Sequence, residues 1–265
     1  MIPLTIPGRA PVAVQPTATR DRLSAFGEDL IAAFAIHLSP ERLPGVAATG
    51  DVIGAIGPLA ARRDSFGRFA TATGGGATLE LVDGRRAAST IVGVPSTDAR
   101  PADGTSFGIG MLYNFTAGAL AETLDHMGNN ESGGGKSPHI LRRAVGSSMD
   151  QLLSWKGIRS TWLPDQPADV KGRVTITEPG WYILAADEAG GNSALAVDRR
   201  DTVVAPTDAL VPTLSRVFFG GSSLATPGLG AVAAFIVCDG PLVQNAARLE
   251  AWRAFAEAVR DEIAG

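Results

Sequence analysis

Between positions 30 and 38 the chain sets Leu30, Ala32, Phe34, Ile36 and Leu38 on one side of a period-two alternation, with Ile31, Ala33, Ala35 and His37 on the other. Apolar residues on both sides predict a strand buried on both faces, in which His37 is a structural residue. Residues 78–82, the pair Asp83-Gly84 and residues 85–92 predict two strands joined by a primed hairpin turn. The cleanest alternation is Phe107, Ile109, Met111, Tyr113 and Phe115. Gly108 and Gly110 share its opposite face, which predicts a close approach by another backbone or a concave surface there. From 116 to 135 the pattern dissolves into the polar, glycine-rich TAGALAETLDHMGNNESGGG, a long loop with room for a hairpin inside it. Further strands are predicted at 173–176, 180–187 and 193–198, the last two joined by a turn over 188–192, and then at 215–219 and 229–239.

After Pro241 the period changes. Leu249, Trp252, Ala256, Val259 and Ile263 recur at spacings of three and four, with Arg248, Glu250, Arg253, Glu257 and Arg260 mostly off that line. This predicts an amphipathic helix whose stripe covers the edge or end of the strand layers, or serves a subunit contact. At the other end, prolines at 3, 7, 11 and 16 and little periodicity predict an extended arm over residues 1–29, laid on a neighbouring subunit or disordered.

Composition narrows the classes. At 265 residues, 45% hydrophobic and 19% charged, the chain can bury a sizeable core in one domain with appendages. Its 32 glycines and 17 prolines favour tight turns between short strands and argue against a helical bundle. A formal net charge of −4, without a basic stripe, makes nucleic acid an unfavourable partner. The single cysteine, Cys238, sits in the apolar run 231–237, the setting of a buried inert thiol, and no intrachain disulfide can form. The start MIPLTIPGR has no basic region followed by a sustained apolar stretch, so no signal peptide is expected. No run approaches the roughly 20 apolar residues of a membrane span. The expected location is the cytoplasm, unless the chain leaves as part of an assembly.

Three passages carry a family resemblance. GWYILAAD at 180–187 followed by ALAVD at 194–198, FFGG at 218–221, and GLG at 228–230 running through Asp239 to Pro241-Leu242 and the helix are similar to the closing strands of the concanavalin A-like lectin/glucanase superfamily. Within it they most resemble the laminin-G-like bacterial and phage branch. The resemblance implies an all-β fold: an antiparallel jelly-roll β-sandwich over 30–240, with the extended N-terminal arm over 1–29 and the C-terminal amphipathic helix over 241–265. It also implies loops that meet a carbohydrate. Two departures stand out. Relatives end the Asp-bearing strand with Asp-Gly, but Asp198 is followed by Arg199-Arg200, so that turn must be built differently. The glucanase branch carries a Glu-x-Asp-x-x-Glu strand, which this chain lacks.

The chemistry in the sequence is sparse. Retaining glycosidases need two carboxyl groups about 5–5.5 Å apart, yet Glu80 and Asp83, three apart on a strand, face opposite sides, while Glu257 and Glu262 belong to the terminal helix. GGGKS at 133–137 fails as a phosphate loop because Asn130 stands where the first glycine is required. Ser222 and Ser223 lack the second glycine of a nucleophile elbow. Asp125, Glu131, His126 and His139 match no ordinary ligand spacing. No catalytic residue is assigned, and no enzyme activity is expected. The metal ligands stay unknown: the resemblance allows Ca2+, without a motif that places it.

Glycan recognition pairs an aromatic platform with polar groups that bond sugar hydroxyls. Asp125, His126, Asn129, Asn130 and Glu131 in the 116–135 segment, with Trp155 and Trp162, are the candidate glycan-binding residues. The expected protein is a non-enzymatic carbohydrate-binding or structural jelly-roll subunit of a phage-like fibre, spike or virion surface, with a cell-surface glycan and further copies of itself as partners. The alternative is a polysaccharide-active hydrolase or lyase of the same superfamily with an unrecognised active site.

Overall fold

The computed structural model describes residues 22–35, 55–56, 60–61, 69–70, 79–82, 85–88, 91–93, 106–116, 125–129, 139–142, 152–156, 173–175, 178–190, 192–199, 201–206, 217–219 and 230–264. A short 3-10 helix, Arg22–Asp29, opens this part of the chain. The strands that follow are β1 (Leu30–Ala35), β2 (Ala55–Ile56), β3 (Ala60–Ala61), β4 (Phe69–Ala70), β5 (Leu79–Val82), β6 (Arg85–Ala88), β7 (Ile91–Gly93) and β8 (Phe107–Phe115). Then come β9 (Asp125–Asn129), β10 (His139–Arg142), β11 (Leu152–Lys156), β12 (Arg173–Thr175), β13 (Gly180–Ala189), β14 (Asn192–Val197), β15 (Asp201–Pro206), β16 (Val217–Phe219), β17 (Ala231–Asp239) and one helix, α1 (Ala246–Ala264).

The fold is all-β and antiparallel, as the alternation predicts. The first sheet runs β15-β14-β13-β8-β17-β1-β3, with the β5–β6 hairpin attached through β6 to β17. The second runs β12-β11-β10-β9-β16-β7, and β2 with β4 forms a separate pair. The first and last strands lie side by side, Leu30 opposite Cys238 and Ala35 opposite Ala234. The second sheet comes close to the first along β11 and β14, β12 and β15, and β8 and β9.

Burial explains why the central strands carry apolar residues on both faces. On one face of the large sheet Leu112, Ile183, Ala185, Ala194, Ala196, Ile236 and Cys238 form a single core with Leu242, Leu249, Trp252, Phe255 and Val259 of the helix and its approach. On the other, Ile109, Met111, Tyr113, Phe115, Leu184, Leu195, Val197, Phe235 and Val237 are completely buried. There Tyr113 meets Phe115 and Phe115 meets Tyr182, both edge-on, with ring centroids 4.7 and 5.6 Å apart. The small residues at 108 and 110 answer to the helix side. A Cβ on Gly110 would lie 2.6 Å from Trp252 Cε2, and one on Gly108 2.5 Å from the Leu242 Cβ. The close approach predicted there is therefore made by α1 and by the segment leading into it.

Four expectations are corrected. Residues 22–29 are helix rather than the end of an extended arm, because Leu23 and Phe26, three apart, put both side chains into the α1 core. The second strand of the first hairpin stops at Ala88, and 91–93 crosses to the other sheet, where Phe219 pairs with Ile91. The 116–135 segment contains a strand, β9, held by β10 on one side and β16 on the other. The α1 stripe, with Leu249, Trp252, Phe255, Ala256 and Val259 buried, lies on a face of the chain's own large sheet rather than at its edge.

Two turns show how local sequence meets the sheet. Ala189 pairs with Asn192, and Gly190 takes the positive φ (57°) that so tight a connection needs. After β14, Asp198 itself adopts the left-handed conformation (φ 47°) that a glycine would supply. Asp198 is held there by two bonds: the Ile183 N–H donates to Asp198 Oδ1 at 2.9 Å, and the Asp198 N–H donates to the Ile183 carbonyl at 2.8 Å. This is how the chain makes the turn with Arg199 after Asp198 rather than a glycine. The loop 133–137 and His37 lie outside the described residues.

Candidate functional site

The polar groups around α1 are spent on holding it. Asn245 caps the helix, its Oδ1 accepting the Arg248 N–H at 3.2 Å. Arg248 donates to the Asp239 carbonyl at 2.7 Å and the Pro241 carbonyl at 3.2 Å, and its guanidinium bonds Asp29 at the end of the 3-10 helix. Asp187, fully buried on β13, accepts the backbone N–H of Val243 at 2.5 Å and of Gln244 at 2.8 Å. Its other oxygen accepts Gln244 Nε2 at 2.8 Å. Burial pushes the Asp187 carboxyl above the usual carboxylate range, while the bonds from Gln244 and Val243 pull against it. Arg199 in the β14–β15 turn forks onto Glu250 and Glu257 of α1 at 2.6–2.9 Å. Cys238 is fully buried, and that burial pushes its thiol well above the ordinary range, so it is no nucleophile. These groups fasten a helix to a sheet; none of them faces a site.

The second sheet is organised differently, and its register shows how. Trp155 is opposite Leu141, Leu141 is opposite Met127, Met127 is opposite Phe219 and Phe219 is opposite Ile91. Val174 with Leu153 adds to the same face. Adjacent positions occupy the alternate face. There Arg173 is opposite Ser154, Ser154 opposite Arg142 and Arg142 opposite Asp125. Next along the strands, Lys156 is opposite His139 and His139 opposite Gly128. Irregularities in the register of β9 and β10 between these rows keep His139 and Arg142, three apart, on one face. By register that face carries Arg142, Lys156, Arg173, His139, Ser154 and Asp125, together with Leu152, Thr175, Phe218 and Val92.

The sequence candidates divide accordingly. Asp125, His126 and Asn129 are on β9 and Trp155 is on β11, two strands over in the same sheet, with β10 between them. Asp125 falls on the polar face, Trp155 in the apolar row, and Asn129 opposite Val217 on that same apolar side. Asn130, Glu131 and Trp162 lie outside the described residues. Among the described residues, no three His, Cys, Asp or Glu side chains come together to hold a metal ion. Arg142, Lys156, Arg173 and His139 were not among the sequence candidates as a set, although Arg173-Val174-Thr175 and Ser154-Trp155-Lys156 each carry the alternation that marks a half-buried strand.

No family model matches the chain, and no curated protein does. Solved structures share its fold. An arabinofuranosidase complexed with arabinofuranosyl-alpha-1,2-xylobiose matches at TM-score 0.55 with 10% identity, over 89% of this chain and 65% of its own. The Trypanosoma rangeli sialidase in complex with sialic acid matches at TM-score 0.50 with 14% identity, over 97% of this chain. The chain spans about a third of the sialidase's length, 36%. At these identities the likeness is one of fold. It corrects the expectation that the chain is no enzyme, which rested on the missing Glu-x-Asp-x-x-Glu strand. Two hydrolases by name share the fold, so the lack of one branch's motif excludes no activity.

Proposed function

We propose that this chain is a carbohydrate-engaging domain of a polysaccharide-active enzyme of the glycoside hydrolase kind, and that it meets its glycan on the polar face of the β9–β12 strands. The observation that carries the reading is the register of that sheet, which lines up Arg173, Ser154, Arg142 and Asp125 in one row and Lys156 and His139 in the next. Glycan sites use such convergent polar groups to bond hydroxyls. The helix α1 occupies one face of the large sheet, which leaves the small sheet as the platform. The fold shared with the arabinofuranosidase and the sialidase supports a carbohydrate partner. The reading as a virion or fibre subunit loses one of its motives, since the α1 stripe is used within the chain.

The test is a panel of arabino-, xylo-, sialyl- and uronic-acid oligosaccharides, measured both for retention by the immobilised chain and for new reducing ends. Saturable retention that is lost on Asp125→Ala with Ser154→Ala supports the reading, and released product locates the chemistry in this chain. Failure to retain or cleave any member overturns it.

A further inference from the structure

Residues 22–29 pack mainly against α1. The segment buries Leu23 and Phe26 in the α1 core and leaves Arg22, Ser24, Ala25, Gly27 and Glu28 exposed. A side-chain tie to the helix is Asp29, which accepts a bond from the Arg248 guanidinium while its own side chain stays 48% exposed. An ion pair so open to water contributes little. The backbone adds little stiffness, because 3-10 geometry makes poor hydrogen bonds and Gly27 (φ 54°, ψ −131°) interrupts it here. Where the segment enters β1, the ladder with β17 is irregular between Leu30 and Ala32, which supplies a joint. By contrast, α1 is tied to the sheet by groups outside the segment. Asp187 accepts the Val243 and Gln244 N–H groups, Trp252 Nε1 donates to the Leu184 carbonyl, and Arg199 forks onto Glu250 and Glu257. Arg248 has two further bonds of its own, to the Asp239 and Pro241 carbonyls.

We propose that residues 22–29 are a strap that opens about the Leu30–Ala32 joint while α1 and the sheet stay closed. Ordering eight residues costs backbone entropy at every position, and two buried side chains with an exposed ion pair offset little of it. Every residue of β17, in contrast, is buried, and the strand is flanked by β1 and β8. Opening of the strap is therefore a local event, the kind from which mobile elements are drawn. It changes the surface of the molecule: closed, the strap covers the part of the α1 core that Leu23 and Phe26 fill, and open, it bares that part to solvent. The device stands independently of the glycan reading.

The experiment is native hydrogen exchange of the full chain, read peptide by peptide, in the parent, Phe26→Ala, Asp29→Asn and Arg199→Gln. In the parent, amides of 22–29 should be protected, yet exchange about a hundredfold or more faster than those of β17 once intrinsic rates are divided out. Phe26→Ala should speed 22–29 by about tenfold or more and Asp29→Asn by about twofold to fivefold, with β17 and α1 unchanged. Arg199→Gln, which touches no residue of the strap, should leave 22–29 as in the parent. Protection of 22–29 equal to that of β17, with the variants speeding both together, would mean that the segment opens only when the chain unfolds, and overturns the proposal. So does acceleration of α1 along with 22–29 in Phe26→Ala and Asp29→Asn, since strap and helix would then be one unit. Absence of protection over 22–29 in the parent, unmoved by either strap variant, overturns it from the other side, because there would be no closed state to leave.

Discussion

Asp187 on β13 and Gln244 at the approach to α1 are joined three ways, by the Gln244 backbone N–H, by its side-chain amide and through the neighbouring Val243 N–H, all donating to one buried carboxyl group. The N–H groups that precede a helix need acceptors, and here the sheet supplies them through a single side chain. Asp187→Ala strands the buried Val243 N–H and the part-buried Gln244 N–H and should cost about 3 kcal/mol in urea unfolding. Asp187→Asn keeps one oxygen acceptor and should cost clearly less. Equal losses for the two variants would show that the carboxyl's shape, not its acceptors, fixes the helix.

The same carboxyl sets a pH dependence. Burial, the larger effect, raises the folded value above the ordinary one, with the bonds from Gln244 and Val243 opposing. A group with a raised folded value binds its proton more tightly folded than unfolded. Its contribution is therefore fully present below about pH 4, the unfolded value, and is lost as the pH rises through the folded one. Plotted against pH, the stability of the parent minus that of Asp187→Asn should decline from acid toward neutral. A flat difference would mean that the three bonds cancel the burial.

Gly110→Ala tests the α1 interface from the sheet side. The added methyl would meet Trp252 Cε2 at 2.6 Å, Trp252 Nε1 at 2.8 Å and Ile236 Cγ2 at 2.9 Å. The indole is fixed from below by its bond to the Leu184 carbonyl at 3.0 Å and is fully buried, so it has nowhere to retreat. Destabilisation of about 1–3 kcal/mol is expected, with altered tryptophan emission. Arg199→Ala, by contrast, breaks a fork between half-exposed side chains. It should cost under about 1 kcal/mol, and less again in high salt.

Strands β8, β13 and β17 were legible because branched and aromatic residues there alternate or run unbroken, and the glycines facing Leu242 and Trp252 were already readable as a place of close approach. The helix was legible from its stripe. Strands β9 and β10 were not, since Asp125-His126-Met127-Gly128-Asn129 has neither period nor β propensity, and its extended form is imposed by β10 and β16 on either side. The candidate site suffered from the same cause. Asp125 was read in a long loop and Trp155 as a separate candidate, whereas both are on strands of one sheet, β9 and β11, at register positions on opposite faces. Which face each takes depends on the pairing of 127 with 141 and of 141 with 155, non-local choices that no single segment encodes.

Cys238 offers a clean probe of the large sheet. It is fully buried on β17 opposite Gly108 on one side and Leu30 on the other. Burial disfavours its thiolate, the reactive form. A thiol reagent should leave the native chain unmodified for hours and label one equivalent on unfolding, with the rate following denaturant concentration. Rapid labelling under native conditions would place the opening of β17 far below global unfolding.

Trp155 and Arg142 are neighbours in register yet belong to different faces, and their substitutions should separate stability from binding. Trp155 shares a register row with Leu141, Met127, Phe219 and Ile91, and a row of apolar residues is the one a two-layer fold is expected to bury. Trp155→Ala should therefore lower the unfolding midpoint, at a cost of about 3 kcal/mol or more, and weaken glycan retention only as folded protein is lost. Arg142→Ala, one position over on β10 and on the polar face, should leave the midpoint nearly unchanged while removing retention. Measuring both quantities on both variants decides the matter. If Trp155→Ala abolishes retention with an unchanged midpoint, the indole is a sugar platform and the assignment of faces is reversed, which would turn Arg142, Lys156 and Arg173 toward the large sheet.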